Sequence, residues 1–116
     1  MTSRRYSEEF PAGYGDFNLV SSDGVVFSIS RTFLSYVSPI FRDMLELGHN
    51  EIELQVVEGS KILDQFLRFF DPLKNLLHIE WETVDALLEA ARKYQVERIF
   101  TYWEQQVLTS DEDGTK

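Results

Sequence analysis

At Ser30 and Arg31 the spacing of apolar residues changes from two to between three and four, and this change limits the possible folds more than any other feature. Before it, Phe17-Asn18-Leu19-Val20 reads as a short strand, and Ser22-Asp23-Gly24 supplies a hairpin turn because glycine accepts a positive φ. Val25, Phe27 and Ile29 then alternate with Val26, Ser28 and Ser30, the period of a strand with one buried face. Residues 16–30 are therefore expected to form a hairpin. After it, Phe33, Leu34 and Val37 fit a short helix. Ser38-Pro39 opens another, since serine is a favoured N-cap and proline a favoured first helical residue. Ile40, Phe41, Met44, Leu45 and Leu47 stripe that second helix, and Gly48 stands where a C-terminal cap is expected.

The rest of the chain continues in short elements. Ile52, Leu54 and Val56 alternate with Glu51, Glu53 and Gln55, which predicts a third strand with one wet face. Glu58-Gly59-Ser60 ends it, and Ile62, Leu63, Phe66, Leu67 and Phe70 return to helical spacing until Asp71-Pro72. Residues 73–81 fit a short strand and a helical turn equally. Val84, Leu87, Leu88, Ala91 and Tyr94 stripe a further helix, with Glu89 and Lys93 as an i,i+4 pair, and Val96, Ile99, Phe100, Trp103 and Val107 stripe a last one. Helices outweigh strands without β-α-β alternation, so the expected class is α+β.

The chain has 116 residues, which suits one domain. Residues 1–14 read as a flexible arm that carries Tyr6 and Phe10, residues 15–109 as the folded part, and residues 110–116 (SDEDGTK) as an acidic disordered tail. A net charge of −9 repels polyanions, so direct contact with nucleic acid or an anionic membrane is not expected. The absence of cysteine removes disulfides, thiol catalysis and cysteine-based zinc sites, and fits an intracellular location, nuclear or cytoplasmic. The start, MTSRRYSEEF, shows no apolar secretory region, and no apolar run approaches the length of a membrane span.

Catalytic constellations do not emerge. His49 and His78 stand alone in connecting segments. Gly13-Tyr14-Gly15 lacks the flanking strand, helix and lysine of a phosphate loop. Asp111, Glu112 and Asp113 lack the loop that makes an acidic run a calcium site. Glu80 and Glu82 read as surface acids, because nothing around them implies the burial that would raise a carboxyl pKa. The expectation is a protein that acts by binding, is not an enzyme, and uses no cofactor or metal.

The stretch from Asp16 to Leu47 resembles the opening of a BTB/POZ domain. The matching residues are Asp16 before the first strand, Ser22-Asp23-Gly24 at the turn, and Leu34-x-x-x-Ser38-Pro39-x-Phe41-Arg42-x-Met44. Downstream, Leu87-Leu88-x-Ala90-Ala91-x-Lys93-Tyr94 resembles the family's penultimate helix, and Val96 to Trp103 the one after. The wording is similar to that of single-domain fungal members. The resemblance covers roughly residues 15–108. It implies a helical cluster flanked by a small, mostly three-stranded sheet, and a module that pairs with itself or with another BTB protein. It implies a dimer interface drawn from Tyr6 and Phe10 in the arm and Phe33, Tyr36 and Val37 in the first helix, with Leu34 and Phe41 in the core. It also implies a charged pocket of Asp16 and Arg31, with a role in specificity rather than bulk stabilisation. Many members have histidine where this chain has Ser30. Cullin-binding members tend to carry a hydrophobic-x-Glu triplet before the third strand; here His49 takes the hydrophobic place ahead of Glu51, and no helical extension follows. A substrate adaptor for a cullin-type ubiquitin ligase is thus the alternative function, and a cullin the alternative partner.

Overall fold

The computed structural model describes residues 4–48, 52–69, 71 and 79–114. Along the chain these form β1 (Arg5–Tyr6), β2 (Phe17–Val20), β3 (Val25–Ile29), α1 (Arg31–Val37), α2 (Pro39–Leu47), β4 (Glu53–Gln55), α3 (Ser60–Arg68), α4 (Trp81–Lys93) and α5 (Glu97–Gly114). The sheet order is β1-β3-β2-β4. β2 and β3 are the antiparallel hairpin, with Phe17 opposite Ile29 and Val20 opposite Val26. Gly24 sits at φ +86°, the left-handed conformation that the Asp-Gly turn requires. β4 adds in parallel to β2, and β1 in parallel to β3.

The fourth strand departs from the expected three. Residues 1–14 read as a flexible arm, yet from Arg4 onward the segment is tied down. Ser7 N–H donates to Val26 O at 2.8 Å, and Ser28 N–H donates to Phe10 O at 3.0 Å. Phe10 is fully buried beside Phe27. The backbone bonds follow from an edge that β3 would otherwise leave unpaired, since buried N–H and C=O groups need partners. Two residues are too few to show a period of two, so the sequence carries no signal for β1. At the other end, α5 continues to Gly114 through residues expected to be disordered.

Ile52, expected to face inward with Leu54 and Val56, is 69% exposed, whereas Val56 is buried. β4 pairs with β2 over three residues, and Ile52 stands just before them, joined to β2 through its carbonyl, which accepts from Asn18 N–H at 2.9 Å. His49, His78 and the ambiguous segment's residues up to 78 lie outside the described residues.

The core collects one face of each helix beneath the hairpin. Leu19, Phe27, Ile29, Leu34, Phe41, Leu63, Phe66, Leu87 and Ile99 are essentially inaccessible. Leu34 and Phe41 are both in it, as expected. Burying a side chain of this kind stabilises by about 1.5–3 kcal/mol relative to exposure, so the striping of the helices dominates the energetics.

The hairpin turn is also fastened to the helical layer. The Asp23 carboxylate accepts from Ser21 Oγ at 2.6 Å, Ser60 N–H at 2.8 Å and Ser60 Oγ at 2.6 Å. These bonds hold its carboxyl at about 2, below its ordinary value, because they favour the charged form. The folded protein therefore releases this proton more readily than the unfolded chain. The stabilisation is complete above a pH of about 4, the ordinary aspartate value, and fades as pH falls toward 2. A carbon-detected NMR titration is expected to place the Asp23 midpoint near 2, whereas a midpoint near 4 would mean that the serine hydroxyls do not hold it in solution.

Candidate functional site

α1 has seven residues, bounded by Ser30, whose hydroxyl accepts from Phe33 N–H, and by Ser38, whose N–H donates to Leu34 O. About two turns of helix can turn only a narrow stripe inward. Here that stripe is Leu34, the only residue of α1 that is buried. Phe33 and Val37 are left half-buried, and Tyr36 stands 85% exposed. Tyr36, Val37, Pro39, Val96 and Phe100 line a groove whose rim also carries the polar Arg92, Gln95 and Glu97. A large amphipathic side chain with little else to do at the surface is the composition of an interface anchor.

The other expected interface residues sit elsewhere. Tyr6 is half-buried in β1, at the sheet edge. Phe10 is inside this chain's own core and presents no surface; its ring packs edge-on against Tyr14 at 5.9 Å. The Tyr14 hydroxyl donates to the buried Asp71 carboxylate, and this bond, with burial next, pushes the phenol up to about 12. The arm is thus closed over β3 by Phe10 inside and by Tyr14 at its turn.

Asp16 and Arg31 do meet. The Asp16 carboxylate accepts from the Arg31 backbone N–H at 2.8 Å, which places an anion at the first turn of α1, where the helix dipole favours it. The Arg31 guanidinium lies over the Phe17 ring, 4.9 Å from its centroid. Asp16 is exposed and Arg31 half-buried, so the arrangement is open to water and not an ion pair withdrawn into the core. Its geometry fits a clamp joining the start of β2 to the start of α1.

Sequence reasoning did not single out the joint beneath α1. Ser38 is fully buried. Its hydroxyl accepts from Phe41 N–H at 3.1 Å, capping α2, and donates to Tyr94 O at 2.6 Å, at the end of α4. The Tyr94 ring stacks on Phe41, with centroids 4.4 Å apart. The Tyr94 hydroxyl donates to Glu58 Oε1 at 2.8 Å, while Lys93 Nζ is 3.2 Å from Glu58 Oε2. Burial and then this carboxylate raise the Tyr94 phenol well above its ordinary value. Past Lys93 and the capping Tyr94, Gln95 turns the chain out of α4 as a non-glycine residue at φ +56°, with Val96 N–H donating to Ala91 O at 2.8 Å. The two motifs that carried the family resemblance, about fifty residues apart, are thus one contact in space.

Among the described residues, no group of three His, Asp or Glu side chains is placed to hold a metal ion, and no helix is long and apolar enough to cross a membrane.

A family model described as BTB/POZ domain matches residues 9–111. Among solved structures, the BTB (Tramtrack and Bric a brac) domain of human gigaxonin is similar, with a TM-score of 0.65 and 18% identity over 82% of this chain and 75% of that one. At that identity the likeness concerns the fold. No curated protein matches the chain.

Proposed function

The chain belongs to the BTB/POZ domain family, a family of protein–protein interaction modules, and from that premise we propose that it works inside the cell by pairing with a second copy of itself or with a related domain through the outer face of α1. The observation that carries this reading is Tyr36, 85% exposed between the half-buried Phe33 and Val37 on a helix that buries only Leu34. Two such faces opposed across a two-fold axis would each cover the other's apolar side chains. A stable pairing needs about 1,000 Å² or more of buried surface, so Tyr6 and the groove beside α1 would have to contribute. The Asp16–Arg31 clamp fixes the position of α1 and thereby the shape of that face. Nothing in this reading calls for catalysis.

Light scattering after size exclusion, across a concentration series, is expected to give twice the mass of one chain. Tyr36→Asp is expected to weaken the pairing by at least about tenfold while leaving the melting temperature in place, because a charge enters the centre of the interface but no core. A single-chain mass at every concentration would overturn self-association.

A second reading, a cullin adaptor, draws on Leu47 at 88% and Ile52 at 69% exposure, which flank the α2–β4 connection. Two large apolar side chains there offer a contact at the place where cullin-binding members make theirs. Co-sedimentation with a purified cullin amino-terminal domain separates the two readings.

A further inference from the structure

The two tryptophans of the chain meet where α4 begins beside α5, Trp81 exposed and Trp103 half-buried against the core. Trp81, the first residue of α4, is 74% exposed and meets Trp103 of α5 edge-to-face, with centroids 5.1 Å apart. Trp103, Val107 and Leu108, the last of them 58% exposed, line a notch along α5 that also holds Glu104. An exposed apolar cluster of this kind on a domain whose core is otherwise well filled marks a contact surface.

Among the described residues, the charged side chain that lines the notch is an acid, Glu104. Glu80, Glu82 and Asp85 are exposed at the start of α4, and Glu104 is exposed on α5. Beyond Arg98, α5 carries Glu104, Asp111, Glu112 and Asp113 and no lysine or arginine. Its last turn has no basic residue to offset the negative end of the helix dipole. A second copy of this chain would bring the same acids against them. Nucleic acid and anionic lipid would be repelled as well.

We propose that the Trp103–Leu108 notch, with Trp81 beside it, is a docking surface, separate from α1, for a basic amphipathic helical segment of another protein. Apolar side chains at i, i+3 or i+4 and i+7 would cover the indoles and Leu108. Flanking lysines or arginines would meet Glu80, Glu82 and Glu104, speeding encounter and selecting against acidic partners. The proposal rests on the chain being an interaction module but does not require self-association.

The probe is a synthetic peptide of about four helical turns, with leucines on one face and lysines on its flanks. One control carries glutamate for lysine, and another has the same composition with its leucines scattered around the helix. With both tryptophans in the site, their emission reports binding to the full chain directly, and anisotropy of a labelled peptide serves for the variants. The expected result is saturable binding with a blue shift, weakened at least about tenfold by the acidic control, by the scattered control, by Leu108→Ser and by Trp81→Ser. These variants are expected to melt as the parent does, and Tyr36→Asp is expected to bind the peptide normally. Absence of saturable binding would overturn the proposal. Equal affinity for the scattered control would overturn it in favour of charge attraction alone. A change in oligomeric mass on Leu108→Ser would overturn it in favour of a contact between copies.

Discussion

Gly15→Ala is expected to lower the unfolding free energy by about 3 kcal/mol, at the upper end of what overpacking costs, and to broaden or abolish the cooperative transition in urea. A Cβ at this position would lie 2.1 Å from the Ile29 carbonyl carbon and 2.4 Å from its oxygen. Both are backbone atoms at the end of a buried strand, so nothing flexible can give way. Movement of residue 15 would also break the bonds that fasten the segment: its N–H donates to Ser28 Oγ at 2.8 Å, and its carbonyl accepts from that hydroxyl at 3.2 Å. The next residue is Asp16, whose carboxylate caps α1 at Arg31 N–H. The strain would therefore reach the helix on which the proposed self-association depends. Gly13→Ala is the control. Gly13 has φ +82° and open space around its missing Cβ, so the cost there is conformational alone, about 1–2 kcal/mol. Equal losses at the two positions would mean that the close approach at Ile29 relaxes without cost.

This contrast also shows what can be read from residues in order. Gly13, Gly15 and Gly24 are the same letter, but Gly24 announces itself through the preceding Asp23 and the alternation on either side, whereas Gly15 serves a contact with a strand fourteen residues later. The hairpin, the α1–α2 boundary at Ser38-Pro39 and the stripes of α3, α4 and α5 were legible because local chemistry sets them: a turn residue, a cap, a period. β1 was not, because a two-residue strand exists only through its pairing with β3. The same holds for Phe10, whose burial depends on the arm being held down at Ser7 and Ser28. For the candidate site, Tyr36 could be placed on α1 from spacing, but its exposure could not. Exposure depends on α1 being too short to bury more than Leu34. The tryptophan pair was hidden for a similar reason. Trp103 fits the stripe of a core helix and is indeed half-buried against the core, and only the fold brings the exposed Trp81 against its ring.

Ser38→Ala is the second large effect, expected to cost about 3 kcal/mol: about 1 kcal/mol for the lost N-cap of α2, and about 1–3 kcal/mol for withdrawing the hydroxyl donor from the buried Tyr94 carbonyl. The side chain does both tasks at once because a serine hydroxyl accepts and donates. Phe41 N–H donates to it, and it donates to Tyr94 O at 2.6 Å. Ser38→Gly separates the two contributions. Glycine is tolerated as an N-cap at a cost of only a few tenths of a kcal/mol, but it cannot donate to Tyr94, so most of its remaining loss reports the link between α2 and α4. Chemical denaturation of the two variants checks this. If glycine recovers nearly all of the stability lost with alanine, the Tyr94 bond contributes little and the joint is held by the stacking of Phe41 on Tyr94. If it recovers only the cap, the two motifs are joined through the hydroxyl. Loosening that joint would then lower the order of α1, whose C-terminal cap is Ser38 itself, and weaken the proposed self-association even though Ser38 is fully buried.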